Sequence, residues 1–408
     1  MKQLDKLIHI ASKDIGEGFY NYASVKNPGI SGNASIAIYL LYHYLHTEDE
    51  KFAIQSIKMI EQSVEGMSEL KDNSIGGFAG IAWTVQHFIN IGILENNFKD
   101  NFRLIDALLD KSIQVDVINR DYDLFYGLVG RGIYFLERFE QTNSKHILSK
   151  ISKVVQALNQ IAERSKFGIS WKYLRDKELG SVYSLGLAHG ISGVILFLSK
   201  LMKLELGIPN TKELVLGSIE WLLNKKNSNK QYSFESESNS DSRNIELPRL
   251  AWCNGDLGIS LSLLSASEAL SSSFLCKEAI DVATKTIHRD LVDSGVYIQG
   301  KFIDPNFCHG VSGVAHIYGR LFRATGNNIF HDRYEYWLME LIKARKEGCG
   351  IAGYVSDVWL GFDRNKNMAI KKWDNNPSLL EGTSGVGLVF LSALHEKYKW
   401  DKLFLTDF

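Results

Sequence analysis

Apolar runs of helix length recur along the chain, and each is opened by two glycines three positions apart. Gly29 and Gly32 precede Ile36-Ala37-Ile38-Tyr39-Leu40-Leu41, and Gly190 and Gly193 precede Val194-Ile195-Leu196-Phe197-Leu198. The same step stands at 77–80, 127–130, 255–258, 310–313 and 382–385. Between the runs, segments 52–64, 103–113, 147–162, 212–224, 275–287 and 331–345 place apolar residues at three- and four-residue spacing with charges elsewhere, as amphipathic helices do. The pattern predicts seven inner helices alternating with outer ones around a ring: an all-α, seven-fold α/α toroid, with room for a small inserted extension. A seven-bladed β-propeller has a similar period. Helix alternating with helix, and only 5 prolines, argue against it.

The intervals between first glycines are 48, 50, 63, 65, 55 and 72 residues, the spacing of one repeated supersecondary unit. Shared context separates these steps from chance, because most carry a small or apolar residue before the second glycine, as in Ile191-Ser192-Gly193 and Val311-Ser312-Gly313. Glycine inside a helix costs roughly 1 kcal/mol relative to alanine, so its recurrence calls for a reason. The first glycine is expected to adopt a turn conformation closed to other residues, and the second to let neighbouring backbones approach.

A repeat running from 29 to 387 predicts one large domain over 1–408, with irregular insertions near 164–184 and 226–247 and a further irregular stretch at 290–307. The serine-rich part of 226–247 reads as a solvated loop beside the fifth copy. Formal charge of −1 gives no field for nucleic acid or an anionic membrane. No uninterrupted apolar stretch approaches membrane-spanning length, and the amino terminus has no signal core, so a cytoplasmic protein is expected. Four cysteines are too few for a disulfide scaffold and leave thiols for metal or catalysis.

The chemistry concentrates just before the glycine steps. The fifth copy reads Trp252-Cys253-Asn254-Gly255, the sixth Cys308-His309-Gly310, and the fourth places His189 directly before Gly190. Equivalent positions of a symmetric array face a common centre, so two thiols and two imidazoles are candidates to converge there. Thiolate and imidazole suit zinc, and a catalytic zinc keeps three protein ligands with a fourth position open. The competing reading is two inert buried cysteines and a core histidine. Cys276 and Cys349 fall outside this register, and His316, on an inner helix, is a lesser candidate.

Trp-Cys-x-Gly followed by Cys-His-Gly, with Gly-Leu-Ala-His-Gly upstream and seven glycine-marked helix starts, resembles the lanthionine synthetase C family, the lanthipeptide cyclases, over nearly the whole chain. The resemblance implies that Cys253, Cys308 and His309 are zinc ligands. It also implies that His189 is a proton donor or acceptor, Asp123 in Tyr122-Asp123-Leu124 an active-site aspartate, and Arg249 an active-site arginine. One position departs: Asn254 stands where nisin-type cyclases carry a tyrosine, which puts phenol-mediated proton transfer at that position in doubt.

The implied reaction is Michael addition of a precursor-peptide cysteine to dehydroalanine or dehydrobutyrine, giving a lanthionine or methyllanthionine thioether. A thiol with pKa about 8.5 is mostly protonated at neutral pH, and zinc binding deprotonates it. The enolate left by attack needs stabilisation, for which Arg249 and His189 are candidates, and then a proton, which an imidazole with its ordinary pKa of about 6.5 supplies near neutral pH. Blander roles remain open: Asp123 as a helix cap, Arg249 as a rim ion pair. The resemblance also implies a leader-bearing dehydrated peptide as substrate, and work beside a dehydratase and an export transporter at the inner face of the membrane. Addition of a small thiol such as glutathione, a zinc prenyltransferase barrel and a non-enzymatic repeat scaffold are the alternatives.

Overall fold

The computed structural model describes residues 2–23, 25–95, 99–172, 182–228, 231–238, 247–298, 302–363 and 368–407. Among them are fourteen α-helices: α1 (Lys2–Tyr20), α2 (Asn33–Thr47), α3 (Glu50–Glu65), α4 (Phe78–Asn90), α5 (Lys99–Asn119), α6 (Leu128–Thr142), α7 (Lys145–Ile161), α8 (Ile191–Lys203), α9 (Thr211–Leu223), α10 (Asp256–Leu270), α11 (Ser273–Thr284), α12 (Val311–Thr325), α13 (Asn328–Lys343) and α14 (Thr383–Leu394). Every even-numbered helix begins at one of the seven glycine steps, and six odd-numbered ones occupy the amphipathic segments. The two sets bury themselves differently. In α8 every residue from Ile191 to Ser199 is buried, whereas α7 buries chiefly the stripe Ile147, Ile151, Val154, Leu158 and Ile161, as helices covered on all sides and on one side do.

The chain divides into two compact units, Met1–Glu69 with Asp290–Trp400, and Leu70–Arg289 with Asp401–Phe408. In the first, α14 packs on α1, α2 and α12, with α3 against α2 and α13 against α12. The seventh inner helix takes its outer partner from the start of the chain: α1 buries Leu4, Ile8, Ala11, Ile15 and Phe19. That helix was not among the expected outer segments, although its four-residue spacing is plain. In the second unit α4, α6, α8 and α10 pack in succession, backed by α5, α7, α9 and α11.

The turns before the inner helices are stitched to one another by backbone hydrogen bonds. In the first unit Leu379 N donates to Ile30 O at 3.0 Å, and Phe307 N and Cys308 N both donate to Leu380 O at 2.9 and 2.8 Å. In the second, Ile75 N donates to Phe125 O at 3.0 Å, Leu124 N to Ala188 O at 3.2 Å and Ala188 N to Cys253 O at 3.2 Å. Each turn also folds back on the start of its own helix, which explains the glycines and corrects the expectation for the first of each step. Gly127, Gly190, Gly310 and Gly382 have φ of −118°, −127°, −111° and −147°, open to any residue. A Cβ at Gly127 would instead collide with Asp121 O, and one at Gly310 with Asp304 O. Only Gly255, at φ 90°, needs glycine's conformational range as well. At the second glycines a backbone does approach closely, but it is that of the same turn and not of a neighbouring helix, Gly193 lying against Leu187 O and Gly385 against Leu379 O.

Small antiparallel pairs decorate the connections. β1 (Glu163–Ser165) pairs with β2 (Gly168–Ser170), and β3 (Tyr183–Ser184) with β4 (Glu237–Ser238), so the two expected insertions are joined to each other. Much of both insertions, 173–181 and 239–246, lies outside the described residues. β5 (Tyr297–Ile298) pairs with β6 (Phe302–Ile303), and the longest pair, β7 (Ser356–Asp363) with β8 (Met368–Asp374), was not anticipated.

Candidate active site

His189 and Asp123 stand in the turns that open α8 and α6. The Nδ1–H of His189 donates to Asp123 Oδ2 at 2.8 Å. The other carboxylate oxygen accepts from Tyr126 N at 2.6 Å and Gly127 N at 3.2 Å, tying together the turn that leads into α6. One oxygen of Asp123 thus ties the turn before α6, and the other holds the imidazole. Asp123 is almost fully buried and the His189 side chain 39 % exposed, so a water-shielded carboxylate orients a ring that reaches solvent.

The imidazole is held on further sides. The Tyr126 ring lies nearly parallel to it, centroids 5.5 Å apart and planes at 16°, and Phe125 meets it edge-on at 6.2 Å. The Tyr122 hydroxyl donates to His189 O at 3.1 Å. This aromatic setting was not foreseen, although Phe125 and Tyr126 directly follow Asp123 and Leu124 in sequence.

Cys253 belongs to the same unit and is half-buried. Its carbonyl accepts from Ala188 N, which places its turn beside that of His189. Gly186 makes this possible, because a Cβ there would strike Cys253 O and the Asn254 side chain. Asn254 turns Oδ1 back onto Gly255 N at 2.9 Å. Trp252 is fully buried and donates from Nε1 to Phe404 O at 3.2 Å, its ring 5.1 Å from that of Phe404. Arg249 is half-buried, with its carbonyl against Gly255.

Cys308 and His309 lie in the other unit, in the turn that opens α12. Cys308 is half-buried and pinned through its amide to Leu380 O. His309 N donates to Asn306 Oδ1 at 3.0 Å, and its Nε2 is 3.6 Å from Asp304 Oδ2. His316 is buried in α12 between the rings of Phe307 and Trp400, 5.5 and 5.1 Å away, the setting of a packing histidine. Cys276 is half-buried on α11 and Cys349 exposed, and none of the four cysteines is disulfide-bonded.

The zinc expectation thus divides between the units, Cys253 in one and Cys308 with His309 in the other. Among the described residues no three His, Cys, Asp or Glu side chains are grouped closely enough to hold a metal. The donor chemistry nevertheless suits zinc. Two half-buried thiols outside any disulfide and one imidazole stand immediately before helix starts, where amide N–H groups favour thiolate.

A family model for lanthionine synthetase C-like protein matches residues 24–405. Nisin biosynthesis protein NisC of Lactococcus lactis subsp. lactis is 25 % identical over 301 residues, 68 % of each chain. The solved structure of nisin cyclase aligns over 100 % of this chain and 98 % of its own with a TM-score of 0.71 at 19 % identity. That likeness bears on fold alone, and the fold class is the all-α, α/α-toroid class expected from the repeat. With nearly its whole length matched, the chain belongs to the lanthionine synthetase C-like protein family.

Proposed function

We propose that this protein closes thioether rings in a dehydrated precursor peptide by adding a cysteine thiol to dehydroalanine or dehydrobutyrine. Membership of the family supports the reaction class. The observation that carries the reading is the Asp123–His189 pair, tied through Ala188 to the Cys253 turn. On this reading the imidazole would exchange the proton beside a turn whose thiol would be a metal ligand.

Cys253, Cys308 and His309 would hold zinc, which when bound supplies deprotonation of the incoming peptide thiol near neutral pH. The sulfur forms a C–S bond to the β-carbon, and the C=C π pair moves onto the α-carbon and amide oxygen. Asp123 keeps the proton on Nδ1 of His189 and fixes the ring, so that Nε2 would deliver the proton to the α-carbon. The thiol proton released and the proton gained at carbon balance, and mass is unchanged. Arg249, four residues before Cys253, is assigned to the enolate oxygen as a fixed positive charge. The whole repeat serves as one catalytic domain in the cytoplasm, beside a dehydratase that supplies the unsaturated residues and an exporter that removes the product.

The test is incubation with a dehydrated, leader-bearing peptide. Loss of alkylatable thiol without a change in mass supports ring closure. A product heavier by one molecule of added glutathione points instead to small-thiol addition.

A further inference from the structure

The position directly after the second glycine of each step is occupied by Asn33, Ile81, Arg131, Val194, Ile259, Val314 and Val386. Five are apolar, as the start of a buried helix requires. Arg131 breaks the rule with a full charge, and it is only 3 % exposed. The toroid does not need an arginine there, and a buried ion pair is commonly matched or bettered by apolar packing of the same volume.

What Arg131 holds supplies the reason. Its Nη2 donates to Asp116 Oδ1 at 3.3 Å and its Nε lies 3.1 Å from Asp116 Oδ2, a close ion pair with a carboxylate that is itself buried on α5. The same guanidinium donates from Nη2 to Tyr126 O at 3.0 Å and from Nη1 to Asn73 O. Tyr126 in turn gives its N–H to Asp123 Oδ1 and lays its ring along His189. Asn33, the other polar occupant of this position, pins the loop before its own helix in the same way, exchanging two hydrogen bonds with the Val25 backbone. A polar residue here anchors the preceding turn, and in the third copy that turn carries Asp123, the carboxylate that holds His189. Burial pushes Asp116 up to about 7 against the pull of Arg131, with Asp121 and Asp123 pushing the same way, so the pair is kept at a cost that packing alone would not require.

We propose that Arg131, braced by Asp116, is a positioning residue that holds the Asp123–His189 pair in register through Tyr126. Only its kinetic consequence rests on the cyclase reading; the geometric one does not. Arg131→Met removes both carbonyl contacts while filling similar volume. Arg131→Lys keeps the charge but not the planar fork.

The experiment records the His189 Nδ1–H resonance in ¹⁵N-histidine-labelled protein, assigned by its loss in His189→Asn, alongside ring-closure kinetics, metal content and thermal unfolding. The expected result for Arg131→Met is a folded protein with unchanged metal content in which that resonance broadens or disappears. Its kcat should fall about tenfold or more with KM within about twofold, as expected of misplaced catalytic groups, and Arg131→Lys should recover part of both. An unaltered resonance together with unaltered kcat in Arg131→Met overturns the proposal. Should that variant not fold, the same two readings on Arg131→Lys decide, a wild-type resonance and kcat again being contrary. If wild-type protein closes no rings, the cyclase reading fails, while the resonance still tests the positioning role.

Discussion

The Nδ1 of His189 lies 2.8 Å from Oδ2 of Asp123, and the second oxygen of that carboxylate accepts from Tyr126 N and Gly127 N in the turn before α6. Asp123→Asn is therefore a selective change. The amide can keep its oxygen toward Tyr126 N and Gly127 N, but then turns its NH2 toward the imidazole and forces the opposite tautomer. Ring closure should fall about 100-fold or more, with the melting temperature little altered. Steady-state kinetics and a thermal melt on one preparation check both halves. A variant with wild-type kcat would reduce Asp123 to a residue that holds the turn before α6.

Cys253→Ala and Cys308→Ala should each abolish cyclisation and leave the purified protein without stoichiometric metal, whereas the wild type should carry close to one zinc per chain. Cys276→Ala should change neither, because that side chain sits on α11 away from any glycine step. Elemental analysis after gel filtration decides. Zinc retained in full by both alanine variants would remove these cysteines from the ligand set.

His43 gives the protein an acid limit. It is buried on α2 against Phe52 and Tyr39, and burial, with His46 close by, pushes its pKa down to about 4. A depressed folded-state value means that this ring costs nothing above pH 6.5, where both states are neutral. Stability is then lost as pH falls from 6.5 toward 4 and the unfolded chain takes up the proton first. The loss is about 3 kcal/mol. Denaturant titrations across that range, with an NMR titration of His43, test it; a His43 midpoint near 6.5 would be contrary.

Trp252 stands directly before Cys253, and its indole N–H and ring both rest on Phe404. Phe404→Ala opens a cavity beside the cysteine turn and should cost about 3 kcal/mol or more. Ring closure should suffer beyond the loss of folded protein. Comparing unfolding free energy with activity per folded molecule checks this, and a purely proportional loss would limit Phe404 to stability.

How much of this was legible in the sequence follows from what each residue depends on. The seven inner helices were readable because burial on all sides writes a continuous apolar run, and the glycines mark each start. The reason for the glycines was half legible, since a collision between a Cβ and a carbonyl six residues upstream leaves no trace in composition. α1 was passed over because it precedes the first glycine, although its stripe is regular. The β7–β8 pair had a local signal in Val358-Trp359 and Ile370, with the polar run Arg364-Asn365-Lys366-Asn367 between, which the helical repeat overshadowed. At the site, His189 and Asp123 were legible as residues but not as partners, because 66 positions separate them. Arg131 was visible as a charge in an apolar register, and only its contacts give it meaning.

The central claim is that a peptide thiol adds to an unsaturated residue of the same peptide with the proton handled at His189. The most direct measurement is mass spectrometry of a dehydrated precursor after incubation with wild-type protein and with His189→Asn, followed by thiol alkylation. The account predicts a wild-type product of unchanged mass that resists alkylation, and a His189→Asn protein that keeps its zinc while closing rings about 100-fold more slowly. A precursor that stays fully alkylatable after wild-type treatment, or rings closed by His189→Asn at the wild-type rate, would contradict it.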